Sequence, residues 1–179
     1  MDDIVQQAMA KWPNVPDCYG WLGLDTRGNW YMRDDQAQAA GAFDSGLPGS
    51  KGSLLQHDKL INFIGRNYSA DVLGRWFFQN GPQRVFVELQ MAPLVWRVQA
   101  DLSVKDHIGR QAVVQSCWLD EYGHLFLAAD SGFGLVHTQD MGLAADAVDS
   151  GVWLPQELLS LDMQAKFGFV KSPCELQKT

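Results

Sequence analysis

Apolar residues along this chain alternate with polar ones in short runs, and helical spacing is confined to a few stretches. From Asp3 to Trp12, Ile4, Val5, Ala8, Met9 and Trp12 fall on one helical face, with Asp2 or Asp3 as the cap and Pro13 and Pro16 as the stop. A second helix is predicted from Asp58, as its cap, to Tyr68, with Leu60, Ile61, Ile64 and Tyr68 at packing spacing; His57 helps to start it. Strand-like alternation covers Tyr19 to Arg33, Arg75 to Gln79, Arg84 to Gln90 and Leu94 to Val98, then Val113 to Leu119, His124 to Ala129 and Phe133 to His137. The strands at 75–79, 84–90 and 94–98 are expected to form a meander, and the last three to repeat it. Thr138 to Val148 reads as a helix interrupted by Gly142, and Pro155 opens a short helix through Leu159. Phe167 to Val170 is expected to add an edge strand.

One unit occurs twice, about half the chain apart: Trp21 to Met32, turning through Asp25-Thr26-Arg27-Gly28, and Trp118 to Leu127, turning through Asp120-Glu121-Tyr122-Gly123. Asp-x-x-Gly between apolar runs suits a type I turn closed by glycine. The resulting expectation is an α+β fold of largely antiparallel β-meander sheets with a few peripheral helices, compatible with an internal duplication. Two loops stand apart. Residues 34–52 are rich in Gln, Ala, Gly, Ser and Asp and are expected to form a flexible loop. Asn80-Gly81 invites a two-residue turn, but Pro82 has no amide to close it, so a longer loop over Asn80 to Gln83 is expected.

Composition narrows the functional classes. The 179 residues, 46% of them hydrophobic, are read as a single globular domain. With 21 acidic and 14 basic residues the net charge is -7, a field that disfavours nucleic acid and anionic membrane surfaces as partners. Cys18, Cys117 and Cys174 form no Cys-x-x-Cys pair, which fits a reducing compartment; Cys117 reads as a buried inert thiol and Cys174 as an exposed one. The N-terminus has no leader-like pattern and no stretch has the length of a membrane span, so the expected location is cytoplasmic.

No nucleophile elbow, zinc knuckle or dinucleotide fingerprint occurs, and no cofactor is called for; Gly46 to Ser53 lacks the glycine a phosphate loop places before Lys51. The segment Arg75 to Arg84 mixes aromatic and polar residues, with Arg75, Phe77 and Gln79 on one face and Trp76 and Phe78 on the other. Arg75, Phe77, Gln79, Asn80, Gln83 and Arg84 are therefore the binding candidates for a protein partner or small ligand; the plainer reading packs both faces and pairs Arg75 with Glu88. A different class, an enzyme or metal-binding protein, would assemble its site around His124, His137 and Asp120. If residue 137 lies opposite residue 126, His124 becomes its diagonal neighbour on the same face. A homodimer through an edge strand is the third class.

Four stretches resemble a family of uncharacterised proteobacterial proteins known as a domain of unknown function. They are Cys18-Tyr19-Gly20-Trp21-Leu22 through Gly28-Asn29-Trp30, Gly74 through Val85, Trp118-Leu119-Asp120 with Gly123, and Phe167-Gly168-Phe169-Val170. The likeness spans most of the chain, with the 34–52 loop particular to this member. It implies a soluble bacterial protein of one domain and assigns no activity, cofactor or catalytic residue.

Overall fold

The first helix, α1 (Asp3–Lys11), starts where Asp2 leaves the extended region and carries Asp3 in its first turn and Lys11 in its last, complementing the helix dipole. The computed structural model describes residues 1–177. They form two units, one of residues 1–25, 29–90 and 169 onward, the other of residues 26–28 and 91–168. No helix among the described residues is long and apolar enough to cross a membrane.

In the first unit, α1 is followed by β1 (Cys18–Leu24), β2 (Trp30–Met32), α2 (Asp35–Ala40), β3 (Ser53–Leu54), α3 (Asp58–Arg66), β4 (Tyr68–Ala70), β5 (Trp76–Asn80) and β6 (Gln83–Leu89). The second unit holds β7 (Leu94–Val98), β8 (Val104–Asp106), β9 (Gln111–Ala112), β10 (Val114–Leu119), β11 (Leu125–Ala129), β12 (Gly132–Val136), α4 (Met141–Asp149), β13 (Pro155–Glu157) and α5 (Met163–Phe167). The chain then returns to the first unit with α6 (Pro173–Gln177).

The two sheets repeat one topology. The first has the order β3-β2-β1-β6-β5-β4 and the second β13-β10-β11-β12-β7-β8-β9. Each consists of two antiparallel three-strand meanders joined by one parallel pair, β1 with β6 and β7 with β12; β13 then adds a parallel edge beside β10. This is an α+β fold with mostly antiparallel strands, and the repeated order is what an internal duplication produces. The chain's own repetition lies elsewhere than the Trp21 and Trp118 hairpins suggest. The counterpart of Asp120, on the β10–β11 turn, is Asp71 on the β4–β5 turn, whereas Asp25 lies between the first two strands.

Several local expectations change for identifiable reasons. Leu94–Val98 does not extend the β5–β6 hairpin, because the other side of β6 is already paired with β1. Asn80 pairs with Gln83, leaving a two-residue loop of Gly81 and Pro82 rather than a longer one. Shifting the turn by one residue makes Gln83, not Pro82, the closing residue, and Gly81 supplies the positive φ of 58° at the first loop position. Pro155 opens strand β13, not a helix; the helical residues come later, in a 3₁₀ turn at Ser160–Asp162 and in α5. Gly168, left-handed at φ 63°, ends α5, so the expected tail strand shrinks to one bridge between Val170 and Arg75. His57, rather than Asp58, caps α3, its Nδ1 accepting the Leu60 N–H at 3.3 Å. Within 34–52, Asp34 accepts the Ala37 N–H at 2.8 Å and caps the unexpected α2.

Packing follows the alternation. Leu22, Leu24, Trp30, Phe86 and Val87 fill the first core, while Leu94, Trp96, Phe126 and Leu127 fill the second. Each such side chain contributes on the order of 1.5–3 kcal/mol by leaving water. Trp96 also donates its indole N–H to the Leu127 carbonyl at 2.9 Å, so its burial strands no polar atom. In α1 only Val5 is buried. Asp2 anchors that helix by donating its N–H to Asn67 at 2.8 Å and by its ion pair with Arg66, and the later apolar residues Met9 and Trp12 stay exposed.

Candidate functional site

The histidine pair resolves into turn chemistry. Four Asp-x-x-Gly turns share one geometry, at Asp25, Asp71, Asp106 and Asp120. In each, one carboxylate oxygen accepts the backbone N–H four residues on, from Asn29 at 2.8 Å, Arg75 at 3.0 Å, Arg110 at 2.9 Å and His124 at 2.8 Å. The other oxygen accepts from the side chain of that same residue, at 3.0, 2.8, 2.7 and 2.8 Å respectively. Position five is thus a brace that Asn, Arg or His fills equally well, and the Asp120–His124 pair is accounted for by the turn. Arg75 accordingly pairs with Asp71, not with Glu88.

The register of β11 and β12 sets Phe126 opposite Leu135, two residues away from the expected opposition of 126 and 137, a shift that keeps positions 124 and 137 on one face just past the strand ends. His137 caps the following 3₁₀ turn, its Nδ1 accepting the Gln139 N–H at 3.1 Å. Among the described residues no group of three or more His, Cys, Asp or Glu is placed to hold a metal ion. A cleft of about 450 Å³ lies beside Asp120, lined by Leu119, Glu121, Glu157, Leu158 and Leu159. Two of its three carboxylates are engaged: Asp120 braces its turn, and Glu121 accepts from the Ser160 N–H and hydroxyl at 2.8 and 2.7 Å, while Glu157 is exposed.

The thiols offer no nucleophile of note. Burial pushes Cys117 up to about 11, and Cys18 is raised for the same reason. Cys174 is half-buried rather than exposed, and its N–H donates to Glu88 at 3.1 Å.

The Arg75 to Arg84 hairpin presents a different environment. Its register sets Phe77 across from Phe86 and Gln79 across from Arg84, so these four side chains share one face. A groove of about 400 Å³ opens on that face. Phe77, Gln79, Pro82 and Arg84 line it from the hairpin, and Met9, Trp12, Pro13, Val15 and Asp17 from α1 and the segment after it. Trp12 is 51% exposed there, whereas Phe77 and Gln79 are buried. Arg84 forms a two-pronged pair with Asp17, at 2.9 and 2.8 Å, and its guanidinium lies 5.4 Å from the Phe86 ring centre.

Gln79 is the unusual member. Only 1% of it is exposed, and its side-chain amide donates to the Gly81 carbonyl at 2.9 Å. That bond fixes the orientation of the carboxamide, because only its NH₂ can donate to a carbonyl. The carboxamide oxygen is left buried with no hydrogen-bond partner among the described residues.

Of the six binding candidates, the groove collects Phe77, Gln79 and Arg84. Arg75 is committed to Asp71 and stacks 4.6 Å from the Phe86 ring centre; Asn80 is exposed at the hairpin tip; Gln83 donates to the Pro16 carbonyl at 3.1 Å. Met9, Trp12 and Asp17 were not expected at this face. Periodicity assigns Met9 and Trp12 to a core, and nothing local links Asp17 to a residue 67 positions away.

Fold and groove together define a class: an α+β protein of two curled, topologically repeated sheets. The chain belongs to the DUF2944 family, described as protein of unknown function (DUF2946), whose model matches residues 1–174. Its fold is similar to that of a crystallised DUF1285 family protein from Silicibacter pomeroyi DSS-3, with a TM-score of 0.50 and 13% identity, covering 82% of this chain and 84% of that one. A DUF1285 family protein from Shewanella baltica OS155 aligns with a TM-score of 0.46 and 15% identity over 70% of this chain and 91% of that one. No curated protein matches the chain.

Proposed function

We propose that this protein is a non-catalytic binding module and that a small ligand occupies the groove between the end of α1 and the β5–β6 hairpin. One observation carries the reading: an open groove of about 400 Å³ leaves Trp12 51% exposed beside Phe77 and the Arg84–Asp17 pair. Mostly apolar walls with a few polar groups are the usual composition of a small-molecule site, and the groove volume lies within the usual range.

Native mass spectrometry of the chain purified from its own host, compared with its denatured mass, tests this. A retained small mass that is lost in Trp12→Ala supports the groove as its seat. A retained mass indifferent to both Trp12→Ala and Gln79→Leu, in variants that fold, places the ligand elsewhere and overturns the reading.

A further inference from the structure

The second sheet carries one strand that the first does not. The first sheet ends at β4, whereas the second adds β13 in parallel beyond β10, the counterpart of β4. All three residues of β13 are exposed, and its outer side pairs with no strand among the described residues. The Leu158 N–H donates to the Leu119 carbonyl at 3.0 Å, so Gln156 and Leu158 direct their backbone groups at β10. The N–H and C=O of Glu157 and the C=O of Pro155 therefore point away from the sheet.

The flanks of this edge are apolar. Val152, Leu154, Leu159 and Leu161, each at least half exposed, surround a strand of three residues. A cleft opens at each end, the one of about 450 Å³ beside Glu157 and Leu159 and another of about 300 Å³ beside Val152, Leu154 and Gln156. The charge has one sign: segments 113–121 and 150–162, which build this face, contain Asp120, Glu121, Glu157 and Asp162 but no Lys or Arg. A second copy of β13 fits the edge poorly. Set antiparallel, Glu157 opposite Glu157 brings two like charges together, and Glu157 opposite Pro155 leaves the Glu157 C=O facing a residue without an N–H.

We infer that β13 is a docking edge for an extended segment of another protein in which apolar residues flank a Lys or Arg. The segment adds to the sheet as a further strand through both backbone groups of Glu157. Its apolar side chains cover Leu154 and Leu159, and its cation meets the Glu157 carboxylate at the larger cleft. This surface belongs to the second unit and is independent of the groove beside α1.

The probe is a short acetylated peptide of alternating Val and Thr with a central Lys, titrated into the ¹⁵N-labelled full chain while the backbone amides of Leu154 and Glu157 are followed. It is compared with the same peptide carrying a central Glu and with a form N-methylated at every residue. The Lys peptide is expected to bind about fivefold more tightly than the Glu peptide, the ratio one exposed ion pair supplies, and the N-methylated form to leave Glu157 unshifted. Glu157→Lys changes an exposed side chain only and is expected to reverse the order of the Lys and Glu peptides. Equal affinity for those two, an order unchanged in Glu157→Lys, binding that survives N-methylation, or no shift at Glu157 from the Lys peptide at millimolar concentration overturns the proposal. So does a concentration-dependent shift at Glu157 without peptide together with a dimer mass in native mass spectrometry, which would assign the edge to a second copy.

Discussion

The β5–β6 hairpin and its counterpart β11–β12 are the same structure put to two uses. They run in parallel at a constant spacing of 49 positions: Asp71 matches Asp120, Arg75 matches His124, Phe77 matches Phe126, and the loop Gly81-Pro82 matches Asp130-Ser131. Registers agree as well, since Phe77 faces Phe86 as Phe126 faces Leu135. The difference that bears on the groove lies at two of the positions. Where the first hairpin has Gln79 and Arg84, the second has Ala128 and Phe133. Phe133 is covered from within its own unit, stacked at 3.9 Å on Phe167 and at 5.3 Å on Phe126. Arg84 instead pairs with Asp17 at the edge of an open groove. One copy closes this face with an aromatic stack; the other keeps it open and polar.

The largest expected effect comes from breaking the closed copy. Phe133→Ala removes the middle ring of three and is expected to cost about 3–5 kcal/mol in urea unfolding. The matching change in the open copy, Arg84→Ala, removes a half-exposed ion pair and is expected to cost no more than about 1 kcal/mol. Similar losses in the two variants would mean that both faces serve stability, and the contrast would fail.

Gln79→Leu sharpens the same contrast by making the open copy resemble the closed one. It loses the hydrogen bond to Gly81 at the hairpin but removes a buried oxygen that has no partner among the described residues. The net expectation is a gain of about 1 kcal/mol in unfolding free energy. A destabilisation of several kcal/mol would instead mark Gln79 as a structural residue.

A pH series distinguishes the units by sign. In the first unit, burial raises the pKa of Glu88 above its ordinary 4.5, although Ser172 and the Cys174 N–H donate to its carboxylate. A raised carboxyl favours the fold fully below pH 4.5, and that stability is lost as the pH rises through the folded value. In the second unit, the hydrogen bond from Arg97 lowers Asp140, whose contribution is present above 3.8 and lost as the pH falls through its lowered value. Glu88→Gln is therefore expected to gain on the wild type as the pH climbs from 4 to 8, followed by urea midpoints, whereas the deficit of Asp140→Asn is full across that range and closes only as the pH falls below 3.8. A constant gap between Glu88→Gln and the wild type would show that the burial of Glu88 costs its charge nothing.

The sequence disclosed this architecture unevenly, and the reasons are physical. Alternation exposed β5, β6, β10, β11 and β12, because side chains on a half-buried strand must alternate. It could not say which strands pair over long range, so β7 looked like a third meander strand rather than the parallel partner of β12. The Asp-x-x-Gly signature was readable because the turn demands it locally, but its presence at Asp25, Asp71, Asp106 and Asp120 alike made it a poor guide to which hairpins correspond. At the groove, Phe77, Gln79 and Arg84 were legible as an aromatic-polar mixture. Met9, Trp12 and Asp17 were not, since a helix stripe looks the same whether it meets a core or a cleft.

The smallest expected effect tests whether the Asp120–His124 pair has any role beyond its turn. Arg75 and Arg110 occupy the equivalent fifth position beside Asp71 and Asp106, and Asn29 beside Asp25, with the same two hydrogen bonds. His124→Arg copies the neighbouring solution, and its side chain is partly exposed, so a longer residue has room to reach solvent. Its unfolding free energy is expected to stay within about 0.5 kcal/mol of the wild type. Ligand affinity at the groove is expected to be unchanged as well, because no groove-lining residue lies on this turn. If His124→Arg instead abolished ligand binding or an activity while folding normally, the imidazole itself would carry function, and the second hairpin would no longer be the closed, purely structural copy.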